Sequence, residues 1–322
     1  MLVRWRMSVL LSALLLTAAA SCRKDALVLP VLEEVRTPVS EEITSVWFTD
    51  SLRGFATAGA AWVRGHLLST RDGGRTWRLD TTVVNRLECV QFDSFGVGYA
   101  VGLHGLALIR WPDGPHWYTF RTDYNWHRSA FFWSYRHALL VSGEGFQGGL
   151  LRKLGPEVWY IDTMHAFVNS LYDVWMTDSL TGCAVGMGWV LRTEDGGRSW
   201  QRQPPRGDMF CSVHFPSPQV GYICGRNGTL LKTTDGGQSW QTLRQGGSMG
   251  QRHQPFRALW FVSEQHGFLV GDGGLFWRTN DGGNTWTPLL GLPPNANATS
   301  VFALQHTGWI TADAGRIYRF EY

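Results

Sequence analysis

Short runs in which apolar and polar residues alternate recur along the chain. They read SVWF (45–48), CVQF (89–92), AFFW (130–133), DVWM (173–176), SVHF (212–215), ALWF (258–261) and SVFAL (300–304). A period of two marks a strand with one buried face. Each is followed by a more uniformly apolar run, opened in most copies by glycine: GFATAG (54–59), GYAVG (98–102), HALLVSG (137–143), GCAVG (182–186), GYICG (221–225), GFLVG (267–271), GWITAD (308–313). Small and β-branched residues dominate these runs, as in strands packed on both faces. A third run follows: LLST (67–70), LALIR (106–110), LLRK (150–153), WVLRT (189–193), TLLKT (229–233), LFWRT (275–279), RIYRF (316–320). The pattern predicts an all-β chain built from seven similar units.

The units are punctuated by a recurring phrase: TRDGGRTW (70–77), TEDGGRSW (193–200), TTDGGQSW (233–240) and TNDGGNTW (279–286). Asp72, Asp195, Asp235 and Asp281 can accept bonds from the N–H groups of their own loops. The paired glycines supply positive φ, and Trp77, Trp200, Trp240 and Trp286 anchor each turn by their apolar bulk. The phrase resembles the Asp-box hairpin of β-propellers. Asp195 and Asp235 are 40 residues apart, Asp235 and Asp281 46, and Asp72 and Asp195 123, about three repeats. Degenerate copies fill that gap: RWPDGPHW (110–117), with Asp113, Gly114 and Trp117, and RKLGPEVW (152–159), with Gly155 and Trp159. A period near 40 with several strands per unit predicts a seven-bladed β-propeller over 31–322. The blades fall at 41–80, 85–122, 125–163, 167–206, 208–245, 256–294 and 298–322. The last stops before its turn and fourth strand. A ring must close to bury its edge, so 31–38 is expected to pair with 316–321.

Residues 1–22 form a leader: Arg4 and Arg6 precede an apolar stretch over 9–20 that is short for a membrane span. Cys22 at its end resembles a bacterial lipobox cysteine, although Ala19 stands where leucine is usual. That reading makes Cys22 the lipid-attachment residue, 23–30 a tether and the protein an exported, membrane-anchored monomer. The alternative is an ordinary cleavable signal with a free cysteine. The chain carries a net charge of +3, and removing the leader's two bases leaves +1, which argues against a nucleic-acid partner.

Chemistry-bearing motifs are sparse. One carboxylate per turn falls short of the roughly 6–8 oxygens calcium takes, and no H-E-x-x-H or phosphate-loop pattern occurs; neither metal nor cofactor is expected. Sialidases carry similar turns, so a sialidase-like glycoside hydrolase or carbohydrate-binding propeller is the alternative function. Its R-I-P motif is missing, and nothing singles out a carboxylate pair among Glu144, Asp208, Asp272 and Asp313. Cys183 and Cys224 lie in second strands of adjacent units, either disulfide-bonded or, as expected of packed strands, free. Trp47, Trp133, Trp175 and Trp260 are expected between blades. Trp126 and Trp189 lie beside loops and are either core or exposed contacts. The Gly-rich stretch 244–255 is either functional or a plain connector.

The third strands end in a base: Arg110, Arg152, Arg192, Lys232, Arg278 and Arg319, with Ser69 breaking the series. Either these form a ring of positive charge for an acidic partner, or each bonds neighbouring backbone between blades. Repeat wording, unit count, closing strand and leader together resemble the photosystem II stability/assembly factor family of propellers, most clearly in GFLVGDGGLFWRTNDGGNTW (267–286) and GYICGRNGTLLKTTDGGQSW (221–240). The resemblance implies a non-enzymatic scaffold that binds a partner polypeptide through arginine-rich surface.

Overall fold

The computed structural model describes residues 31–122, 124–134, 137–144, 147–154, 161–204, 207–247 and 255–322. The leader with Cys22, the tether, Gly155, Trp159 and most of the 244–255 connector lie outside them.

The described residues form seven four-stranded antiparallel sheets. Sheet 1 contains Ile43–Phe48, Gly54–Ala60, Arg64–Thr70 and Arg78–Val83; sheet 2 contains Leu87–Phe92, Gly98–Gly102, Leu106–Arg110 and Tyr118–Arg121. Sheet 3 contains His127–Ser134, His137–Glu144, Gln147–Leu154 and Ile161–Ala166; sheet 4 contains Leu171–Met176, Gly182–Gly186, Trp189–Thr193 and Gln201–Arg202. Sheet 5 contains Phe210–His214, Gly221–Gly225, Leu230–Thr233 and Gln241–Arg244; sheet 6 contains Phe256–Phe261, Gly267–Gly271, Phe276–Thr279 and Thr287–Pro288. Sheet 7 contains Ala298–Ala303, Thr307–Ala312 and Arg316–Glu321, and its outer strand is Val31–Arg36 from the other end of the chain. There Val31 lies opposite Glu321 and Arg36 opposite Arg316. Each first strand touches that of the next sheet, and the first strand of sheet 7 touches that of sheet 1. The chain is an all-β propeller. No helix among the described residues is long and apolar enough to cross a membrane.

The glycines that open the second strands have a packing cause. A residue at or just beyond the end of the first strand lies over them: a Cβ on Gly221 would sit 2.4 Å from the Phe215 ring. Aromatic residues near the end of the first strand also meet the second strand of the preceding sheet. Tyr222 stacks on Phe261 at 3.6 Å, Tyr99 on Phe132 at 4.1 Å and Trp309 on Phe48 at 3.5 Å, the last joining sheet 7 to sheet 1. Each fully buried ring contributes about 1.5–3 kcal/mol of burial.

Hydrogen bonds join the Thr, Asp, second Gly and Ser/Thr positions of the repeated turn. The Thr70 hydroxyl donates to Asp72 Oδ1 (2.8 Å) and accepts from the Gly74 N–H (3.0 Å); Thr76 donates its N–H to Oδ1 (2.9 Å) and its hydroxyl to Oδ2 (2.6 Å). The sets Thr193–Asp195–Ser199, Thr233–Asp235–Ser239 and Thr279–Asp281–Thr285 repeat it. Partial burial works upward on these carboxyls. The neighbouring hydroxyl and amide donors outweigh it and hold Asp72, Asp195 and Asp235 at about 2. At Asp281 the Thr285 hydroxyl leads the lowering.

Asp113 departs from the series. Aligned on Trp117, it falls at the first-glycine position, Pro112 takes the place of the aspartate, and the Asp113 side chain is exposed.

Candidate binding surfaces

The six basic residues do not share one register. Arg192, Lys232, Arg278 and Arg319 lie opposite Cys183, Tyr222, Phe268 and Trp309, the same place in four sheets. The matching residues of sheets 2 and 3 are Ile109, opposite Tyr99, and Lys153, opposite Leu139. Arg110 and Arg152 are therefore one residue out of step, and a one-residue slip exchanges the two faces of a strand. Arg110 places its guanidinium 5.4 Å from the Phe55 ring. The Arg152 side chain lies outside the described residues. Arg192 donates from Nε to the Gly236 carbonyl (2.9 Å) and from Nη1 to Glu194 (2.5 Å); Lys232 donates to the Gly282 carbonyl (2.7 Å). Both carbonyls belong to the repeated turn of the following sheet. At the closure, Trp309 Nε1 does the same to Gly73 (3.0 Å). Arg319 pairs with Glu321 (2.7 Å), and Arg278 is half-buried. For Arg192 and Lys232 the inter-blade alternative describes what is seen.

A different feature lies at the ring end opposite the repeated turns. Each first strand begins there with a β-bulge, between Ile43 and Ser45, Leu87 and Cys89, His127 and Ser129, and equivalently in sheets 4 to 7. A bulge re-aims the extra side chain. The bulged Glu88 accepts from Arg86 Nε (3.0 Å) and Trp126 Nε1 (2.6 Å), and Arg86 also donates to Glu42 (3.0 Å). Arg128, bulged in sheet 3, lies 3.6 Å over the Trp126 ring. Burial pushes the Glu88 carboxyl up against the pull of Arg86 and Arg128.

Beside this network runs an exposed aromatic strip. Trp62 is 59 % exposed, its ring 5.9 Å from that of His104, which lies 5.0 Å from Tyr124, 75 % exposed. Arg121 donates to His104 Nδ1 (3.0 Å) and stands 5.3 Å from the Tyr124 ring. Trp62 and His104 both adopt φ of 63°; histidine enters this left-handed region more readily than most residues, whereas for the bulky Trp62 it is unfavourable. The matching turn of sheet 6 has Gly273. Trp126 and Trp189 are half-buried, Trp189 under the Arg202 guanidinium at 3.7 Å.

The first strands surround an axial cavity of about 120 Å³. Ser45, Cys89, Ser129, Asp173, Ser212, Ala258 and Ser300 form one layer; Trp47, Gln91, Phe131, Trp175, His214, Trp260 and Phe302 form the next. The second layer sits toward the repeated turns, as the pairing of Trp47 with Phe55 beside Gly54 shows. Trp47, Trp175 and Trp260 thus face the axis rather than the seams between sheets, because alternate residues of an innermost strand point inward. Trp133 bonds the Asp178 carbonyl (3.1 Å). Asp173 accepts from Ser129 Oγ (2.8 Å), Val174 N (2.9 Å) and Val213 N (2.9 Å), and burial raises its pKa to about 6. Burial drives His214 down to about 3, leaving the imidazole neutral.

Of the other carboxylates considered from sequence, Asp208 accepts from the Met209, Asn227 and Thr229 N–H groups, Asp272 pairs with Arg257 (2.7 Å) and Asp313 with Arg316; the Glu144 side chain is outside the described residues. None of the four lines the cavity. Among the described residues no cluster of His, Cys, Asp and Glu could hold a metal. The four described cysteines are free: Cys183 is buried, and the Cys211 and Cys224 sulfurs lie 3.8 Å apart within sheet 5.

Residues 157–249 match the family model described as photosynthesis system II assembly factor YCF48. No curated protein matches the chain significantly. Among solved structures, YCF48 bound to D1 peptide is similar at 19 % identity and a TM-score of 0.69, over 90 % of this chain and 97 % of that one. YCF48 from Cyanidioschyzon merolae is similar at 16 % identity and 0.70, over 90 % and 98 %. A catalytically inactive virginiamycin B lyase from Staphylococcus aureus with quinupristin reaches 0.71 at 8 % identity, over 90 % and 99 %. At such identities the shared structure is the propeller fold, which serves unrelated activities. The family match adds the assembly-factor resemblance over its own 93 residues, the span from 157 to 249.

Proposed function

We propose that this chain is a non-enzymatic scaffold: a seven-bladed propeller of the photosystem II assembly factor kind that engages a partner polypeptide. The observation that carries this reading is the strip Trp62–His104–Tyr124 with Arg121. The bulky Trp62 is held at positive φ, where glycine would be the relaxed choice, and strain of this kind concentrates at functional positions. Exposed aromatics flanked by arginine are the composition of interface anchors. The YCF48 structure with D1 peptide supports a polypeptide partner by analogy. Within this proposal the protein works as a monomer at an extracytoplasmic membrane surface, tethered through lipid on Cys22. Arg278 and Arg319 remain proposed auxiliary contacts, whereas Arg192 and Lys232 are committed to the neighbouring turns.

The test is co-purification from native membranes with tagged wild-type protein and with the double variant Trp62→Ala, Tyr124→Ala. Both side chains are exposed, so melting temperature should hardly move. A polypeptide retained by wild type should be lost or at least about tenfold depleted with the variant, equivalent to about 1.4 kcal/mol. Equal recovery would remove this strip from the account.

A further inference from the structure

The axial cavity combines three properties that the scaffold reading does not use. It is small, about 120 Å³. One layer of its lining is largely aromatic, with rings packed on one another, Trp47 against Trp260 at 6.0 Å and Trp175 against Trp260 at 5.8 Å, and Phe302 4.6 Å from Trp260. Its wall carries a single charged side chain, Asp173. We propose that this cavity binds a small alkylated ammonium ion, held between the aromatic layer and the Asp173 carboxylate.

Ring faces carry negative potential and attract cations, most strongly those that lose little hydration on entry. A quaternary ammonium meets that condition; a bare ammonium or a metal ion gives up far more on leaving water. Asp173 adds a full charge in surroundings where Coulomb attraction is screened less than in water. Its orientation is fixed by Ser129 Oγ and by the Val174 and Val213 amides, none of which neutralises it. No arginine or lysine among the described residues forms an ion pair with it. His214, wedged between Trp175 (4.4 Å) and Trp260 (4.1 Å), contributes a neutral ring rather than a competing cation. An anion would meet the Asp173 charge with no positive side chain among the lining residues to offset it. The proposal is independent of the partner-polypeptide reading, since it uses none of the strip residues.

The experiment titrates the full protein with tetramethylammonium chloride, with tert-butanol as a neutral ligand of similar shape, and with sodium chloride at matched ionic strength, read by calorimetry and tryptophan fluorescence. Tetramethylammonium should saturate and bind at least about tenfold more tightly than tert-butanol, with no response to sodium. Asp173→Asn should reduce that preference to near parity while the protein still melts cooperatively. Equal binding of the cation and the alcohol to wild type, or no saturable binding of the cation, overturns the proposal. Those comparisons need no variant, so they decide the matter even if Asp173→Asn does not fold.

Discussion

At the scale of single residues, the repeated turn shows what a carboxylate does when donors surround it. Asp72, Asp195 and Asp235 sit at about 2 in the folded chain against an ordinary 3.8. A depressed acid contributes stability that is fully present above its unfolded pKa and is lost as pH falls through the folded one. The window is therefore from about pH 4 down to about pH 2, and melting temperature should drop steeply across it. Asp235→Asn removes one acceptor and leaves the Ser239 donors poorly paired, a cost of about 1–2 kcal/mol at neutral pH. The gap between this variant and wild type should shrink on acidification; a constant gap from pH 7 to pH 2 would show that the carboxylate charge is immaterial. The role of Asp as a local acceptor was legible in the sequence, because its partners lie within four residues. The second reason for the paired glycines was not: a Cβ on Gly237 would meet Cys183 Sγ at 2.8 Å, a contact from another sheet. Asp113 misled for a similar reason, since a DG dipeptide resembles the turn even when shifted by one place.

At the scale of elements, strand identity was readable and register was not. Alternation located all seven first strands, but it could not show that Arg110 and Arg152 are one step off the line joining Arg192, Lys232, Arg278 and Arg319. Register follows from pairing across strands, which no local run contains. The consequence is testable. Arg192→Ala removes a charged donor from the Gly236 carbonyl and should lower stability by about 2 kcal/mol, measured by denaturant unfolding. Arg278→Ala, with no such carbonyl bond described, should cost less. An Arg192 variant as stable as wild type would return that residue to the pool of surface contacts. The strand Val31–Arg36 carries a second element-scale prediction. It covers the last edge of sheet 7, with Val35 buried against the core of sheets 1 and 7. Deleting residues 31–38 exposes that edge, and exposed edges pair with other chains. Light scattering should show self-association and calorimetry a lower melting temperature. A monomeric deletion variant with unchanged melting would mean that the strand is an accessory.

At the scale of the whole molecule, the two candidate sites arise only from ring closure. Trp47, Trp175 and Trp260 are more than 80 residues apart in sequence, and each reads locally as an ordinary core aromatic. Asp173 likewise reads as one polar position in an alternating strand. The ring brings them to one axis and turns scattered residues into a lined cavity. Trp62, His104 and Tyr124 come from two turns and an inter-sheet connection, so no motif spans them. The signal that could have found them is faint: a tryptophan and a histidine in the middle of a turn where sheet 6 has Gly273 and sheet 7 has Ala314. The propeller itself was legible because repetition states it several times, whereas a binding surface is written once and across units.

The partner-binding claim is tested most directly by photo-crosslinking in native membranes from two positions of sheet 2 and its connection. A photoreactive residue replacing Tyr124 lies on the strip. One replacing Phe95, which is 70 % exposed, lies at the opposite end of the ring beside the repeated turns. One discrete polypeptide adduct is expected from position 124, absent from position 95 and abolished when Trp62→Ala is added. Adducts of equal yield from both positions, or from position 95 alone, would contradict the claim.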